Sequence, residues 1–196
     1  MKKTPMILIA IMLLMLAACS TNTIKSAPKQ ERNSYEISKV KVKITNNESI
    51  AGTQNVKSTD GKKIKIVPIV LYYEAKLDRD LSEKLLKNTN DIVELKIIPD
   101  KELIDASKNA VGFNLFDTNS NDKYGSGQGI ELNHNSKAKG RIELNYILGA
   151  DEKNEEVPLL PNEQKLDILK ENALKGKLVI TKNNKEMARF DLNEIN

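Results

Sequence analysis

Oxygen donors stand at alternate positions near the middle of the chain: Asp117, Asn119 and Asn121, followed by Asp122. Carboxylate and amide oxygens at that spacing can begin to wrap a calcium ion. The rest of the loop does not complete the set. Its sixth position is Asp122, where the sharp turn needs Gly, and its twelfth is Gln128, where a bidentate Glu belongs. No metal site is therefore expected. The four residues stand as the calcium candidate, with a polar surface loop as the simpler reading. Just downstream, Gly125, Gly127 and Gly129 supply the backbone freedom of a phosphate cradle. They neither follow a strand of a βαβ unit nor open a helix, so a hairpin loop is the simpler reading.

His134 is the sole histidine and Cys19 the sole cysteine. A zinc site needs more nitrogen or sulfur ligands, and a His-based triad needs a partnered nucleophile. Flanked by Asn133 and Asn135, His134 reads as a solvated turn residue. Acidic pairs occur at Asp78/Asp80, Asp151/Glu152 and Glu155/Glu156. A carboxylate-pair hydrolase sets its acids across a cleft, whereas these neighbours fit helix capping and solvated loops. No catalytic residue is assigned and no cofactor is expected.

The positioning elements begin with the thiol. Lys2 and Lys3 precede an uninterrupted apolar run over residues 6–18. A membrane-spanning helix needs roughly 20 apolar residues, so this run has the length and flanks of an export signal instead. It ends Leu16-Ala17-Ala18-Cys19-Ser20. That ending resembles the lipobox of bacterial lipoproteins. The resemblance implies a diacylglycerol on the Cys19 thiol, cleavage between Ala18 and Cys19, and a product anchored by its lipid. With Cys19 so used, no intrachain disulfide can form and no thiol is left for catalysis. Two acyl chains hold a protein at a membrane stably, while one binds only marginally.

The expected organisation is a signal peptide over 1–18, a lipidated Cys with a flexible tether over 19–34, and one domain over 35–196. The tether is polar, aperiodic and interrupted by Pro28. As a random coil, residues 20–34 reach roughly 20 Å on average. The formal charge is +4 before Lys2 and Lys3 are removed. Cations and acids are interspersed, so no basic block points to nucleic acid. Five Tyr, three Phe and no Trp give little support for a lectin-like surface. Richness in Lys, Asn and Ile points to an AT-rich genome and a Gram-positive host. In a Gram-negative host, Ser20 after the cysteine is compatible with the outer membrane.

Within the domain, Val40, Val42 and Ile44 alternate with lysines over 39–45, a half-buried strand. Asp60-Gly61 marks a turn. Residues 63–77 form the strongest strand pattern, β-branched and aromatic, with Pro68 implying a bulge or edge segment. A short helix is expected over 78–87, strands over 91–98 and 111–116, a polar glycine-rich loop over 117–129, and a strand opening at Ile130 and Leu132. Residues 141–148 alternate strictly. Asn162 caps a helix over 163–175 ending at Gly176, and Lys182-Asn183-Asn184-Lys185 joins strands over 178–181 and 187–192 as a tight hairpin.

Seven or eight strands with one or two short helices predict a mainly β domain, an antiparallel immunoglobulin-like β-sandwich. The chain also resembles the telokin-like, immunoglobulin-like domains of Gram-positive surface lipoproteins. The matching pieces are the lipobox, the polar tether, Tyr35-Glu36-Ile37, the strand over 67–75, Lys139-Gly140-Arg141, and a last hairpin closing on Phe190-Asp191-Leu192. The helix over 163–175 departs from that pattern. The expected function is a non-enzymatic module on the extracytoplasmic face of the cell membrane, binding another envelope or extracellular protein or serving a structural role. An envelope-acting enzyme and a small solute-binding lipoprotein are the alternatives.

Overall fold

The computed structural model describes residues 35–78, 83–85, 90–117 and 140–195. All lie in the compact unit Asn33–Asn196. Among the described residues strands dominate, and the named strands all pair antiparallel; one isolated bridge, Ala150 to Leu159, is parallel. The first sheet has the order β1 (Ile37–Thr45), β4 (Ile69–Leu77), β6 (Arg141–Gly149). A separate hairpin pairs β2 (Gln54–Lys57) with β3 (Lys63–Ile66). The second sheet has the order β5 (Val93–Pro99), β7 (Gly176–Lys182), β8 (Lys185–Asp191). Among the described residues helices are few: α1 (Glu48–Ala51), α2 (Lys101–Val111) and α3 (Glu163–Asn172), with a 3-10 turn at Leu192–Glu194; residues 83–85, within the helix expected over 78–87, are also helical.

The single strand expected over 63–77 is two strands in different sheets. Val67 and Pro68 lie between them, and the chain leaves the hairpin there to enter β4. Pro68 has no N–H to give a ladder, so the break falls where the ladder would lose a bond anyway. β4 is central in its sheet and buried along nearly its whole length. Its inward residues Leu71, Tyr73, Ala75 and Leu77 join Ile142, Leu144, Tyr146 and Leu148 of β6. The same core takes Leu95 and Ile97 from β5, Leu178 and Ile180 from β7, and Ala188 and Phe190 from β8. It also takes Leu103, Ala106 and Ala110 from α2 and Leu169 and Ala173 from α3.

Helix α2 fills a stretch for which the sequence predicts no element, and takes the first residue of the strand expected over 111–116. Leu103, Ala106 and Ala110 recur at helical spacing, and Gly112, at φ 90°, ends the helix with its N–H on the Lys108 carbonyl. Residues 112–116 are then turn and bend rather than strand. Buried Ser107 holds that return: its hydroxyl donates to the Phe113 carbonyl at 2.9 Å and accepts from the Leu115 N–H at 2.8 Å. For α3, the expected cap is present, with Asn162 Oδ1 accepting from the Lys165 N–H at 3.0 Å. The helix ends at Asn172, and Gly176 opens β7 instead of capping it. A Cβ there would sit 2.7 Å from the Ile98 carbonyl oxygen, so the two strands can pair this closely only with glycine.

The Asn183-Asn184 hairpin forms as its residues dictate, with φ of 50° and 63°. It is also tied to the segment before β5: Asn183 Oδ1 accepts from the Ile92 N–H at 2.9 Å, and Asn183 Nδ2 donates to Asp91 at 2.8 Å.

Candidate functional site

The hydroxyls of two inward tyrosines reach across the core. Tyr73 donates to the Ala173 carbonyl beyond α3 at 2.9 Å, and Tyr146 accepts from the Ile97 N–H on β5 at 3.4 Å. Their rings meet edge to face at 6.0 Å. Burial pushes both phenols well above the ordinary tyrosine range. They link the first sheet to the rest of the fold and act as neither base nor nucleophile at neutral pH.

The opposite face of the same sheet gathers the chemistry. Register places Glu74 of β4 directly opposite Glu143 of β6 and beside Lys41 of β1. Like charges opposed in this way repel. Arg141, one pair-step along β6, resolves the conflict. Its Nη2 lies 2.9 Å from Glu74 Oε2 and donates to the Tyr72 hydroxyl at 3.2 Å, while its Nε lies 2.7 Å from Glu143 Oε1. Tyr72 donates in turn to Glu74 Oε2 at 3.3 Å. Lys41 reaches the other Glu74 oxygen at 3.5 Å. The Lys43 ammonium lies 5.1 Å from the centre of the Tyr72 ring.

Burial is the main cause that pushes the Tyr72 hydroxyl up to about 12; the Arg141 hydrogen bond opposes it and Glu143 adds to it. The Tyr72 hydroxyl, ahead of the two carboxylates, holds Arg141 more firmly protonated than usual. A phenol that stays neutral, beside carboxylates already engaged by a guanidinium, makes an ion-pair clamp across three strands. It does not place an acid and a base either side of a reacting bond. Next along β6, Asn145 donates from Nδ2 to the Ile50 carbonyl of α1 at 2.8 Å. That bond seats α1 on this face.

Cys19, Asn119, Asn121, Asp122, Asp80, His134 and the glycines at 125, 127 and 129 lie outside the described residues. Asp117 is exposed, its N–H donating to the Asn114 carbonyl at 3.2 Å. Asp78 accepts from the Glu36 N–H at 2.6 Å and so fastens the start of β1. Asp151, Glu152, Glu155 and Glu156 are exposed on a loop organised by Asn154, whose Oδ1 accepts from the Glu156 and Val157 N–H groups. Among the described residues, no three His, Cys, Asp or Glu side chains converge as metal ligands. No described helix is long and apolar enough to cross a membrane. The clamp was not expected from the sequence. Tyr72, Glu74, Arg141 and Glu143 sit at outward positions of their strands, and only the register of β4 with β6 brings them together.

No family model, curated protein or solved structure matches the chain.

Proposed function

We propose that this is a lipid-anchored, extracytoplasmic module without enzymatic activity, which binds another envelope or extracellular protein or supports envelope structure. The observation that carries the reading is Leu16-Ala17-Ala18-Cys19 at the end of the apolar run. The spacing fits export followed by lipidation and cleavage. The polar stretch over 20–34 then serves as a tether ahead of β1. The clamp on the first sheet supports a non-catalytic role, since Arg141 engages both of its carboxylates and Tyr72 keeps its proton.

The finer fold reading is an immunoglobulin-like sandwich. It is supported by two three-stranded antiparallel sheets that feed one core. Helices α2 and α3, both with side chains in that core, are additions to such a sandwich. Mass spectrometry of the N-terminal peptide from membranes tests the anchor. The expected peptide begins at Cys19 and carries a diacylglycerol thioether. A mature protein beginning elsewhere, or an unmodified Cys19, overturns the reading.

A further inference from the structure

We propose that the outward face of the β2–β3 hairpin, with the lysines of the sheet beneath it, docks on the anionic headgroups of the bilayer that holds the protein. The inference rests on the lipid-anchored reading and adds an orientation to it.

The hairpin buries one face. Val56 and Ile66 pack with Ala150 and Val157, and Ile64 and Ile147 close the cluster. Ile147 belongs to the outward face of the first sheet, so the hairpin lies on that face. Strand alternation then turns Asn55, Lys57, Lys63 and Lys65 away from the molecule, and all four are exposed. Lys57 stands directly opposite Lys63 in the register. Like charges so placed are destabilising, and among the described residues neither ammonium joins an ion pair. Among the described residues Lys43 and Lys76, exposed on the sheet below, join none either.

The acids on this side are mostly spoken for. Glu48 is bound to Lys65 at 3.1 Å, Asp60 to Lys62 at 2.7 Å, and Glu74 and Glu143 to Arg141. Glu155 and Glu156 border the hairpin at Lys57, where the Glu156 carboxylate accepts from the Lys57 N–H, and they mark the limit of the surface. The result is a lysine face whose unpaired couple, Lys57 and Lys63, stands at the turn end of the hairpin. An anionic headgroup layer complements it, because lysines near such a surface are attracted within a Debye length. A lipid anchor keeps that surface within reach at all times, which gives weak contacts a high effective concentration.

The test uses the lipidated protein in vesicles. Because Cys19 would be blocked by lipid, an engineered thiol takes a fluorophore alone: Asn55→Cys on the hairpin, or Glu171→Cys on α3. Helix α3 lies beyond the inward face of the sheet, where Tyr73 meets it. Quenchers are placed on headgroups in vesicles of phosphatidylcholine, with or without phosphatidylglycerol. The expected result is several-fold stronger quenching at Asn55→Cys when phosphatidylglycerol is present, none gained at Glu171→Cys, and loss of the difference in high salt or in Lys57→Glu/Lys63→Glu. Retention on vesicles with equal quenching at both probes overturns the docking face. So does a hairpin that binds soluble polyphosphate but shows no preference for anionic vesicles. Protein that washes off neutral vesicles overturns the anchor instead.

Discussion

The two faces of β4 share one backbone and follow different rules. Inward, Leu71, Tyr73, Ala75 and Leu77 all enter the core, and each is decided by its own apolar side chain. Outward, Val70 and Tyr72 are buried, Glu74 is half-buried and Lys76 is exposed. None of these is decided alone. Val70 stands in register between Thr45 and Ile147, Tyr72 lies under Lys43 and Arg141, and Glu74 is held by a residue that is far away in the chain. The inward face is written in one strand, whereas the outward face exists only after three strands are aligned.

Four substitutions probe that contrast, from the largest effect down. Leu71→Ala empties a fully buried inward position and should cost about 2–5 kcal/mol, read as a lower urea midpoint for the whole domain. Val56→Ala removes two methyl groups from the small cluster under the hairpin and should cost about 2 kcal/mol. Its signature differs: faster hydrogen exchange over 54–66 first, with the main core still protected. If both variants loosen the molecule uniformly, the two faces are one cooperative unit.

Arg141→Met leaves Glu74 and Glu143 opposed on a partly exposed face. It should cost about 1 kcal/mol, and added salt should recover part of that loss. Tyr72→Phe should matter least at neutral pH and show itself in alkali. The folded Tyr72 hydroxyl keeps its proton up to about 12, against an ordinary value of 10.0. Its contribution is therefore complete below pH 10 and is lost as the pH rises through about 12. Tyr72→Phe should flatten part of the alkaline fall in stability, to which Tyr73, Tyr146 and Lys101 also contribute. An unchanged alkaline limb contradicts that assignment.

The same distinction governs what the sequence discloses. Strand β6 is legible because Ile142, Leu144, Tyr146 and Leu148 alternate strictly. The β7–β8 turn is legible because two asparagines tolerate positive φ, and the start of α3 because Asn162 can cap it. Helix α2 is not legible from hydrophobicity. Two of its core residues are alanines, and Asp100 before it makes no side-chain capping bond. Its one clear signal is Gly112 following Ala106 and Ala110. Pro68 predicts a bulge or edge segment within one strand over 63–77; the full split into two sheets depends on distant partners. The ion-pair clamp needed a register that a single strand does not carry. Cys19 is the opposite case: its reading comes wholly from contiguous residues.

We propose that a lipid on Cys19 holds this β domain at a membrane. Cells making the protein or its Cys19→Ser variant are fed labelled palmitate, and both forms are recovered and fractionated. The label should enter the Cys19 form, found with membranes, and be absent from the variant. Continued labelling of Cys19→Ser, or an unlabelled Cys19 protein, contradicts lipidation at Cys19.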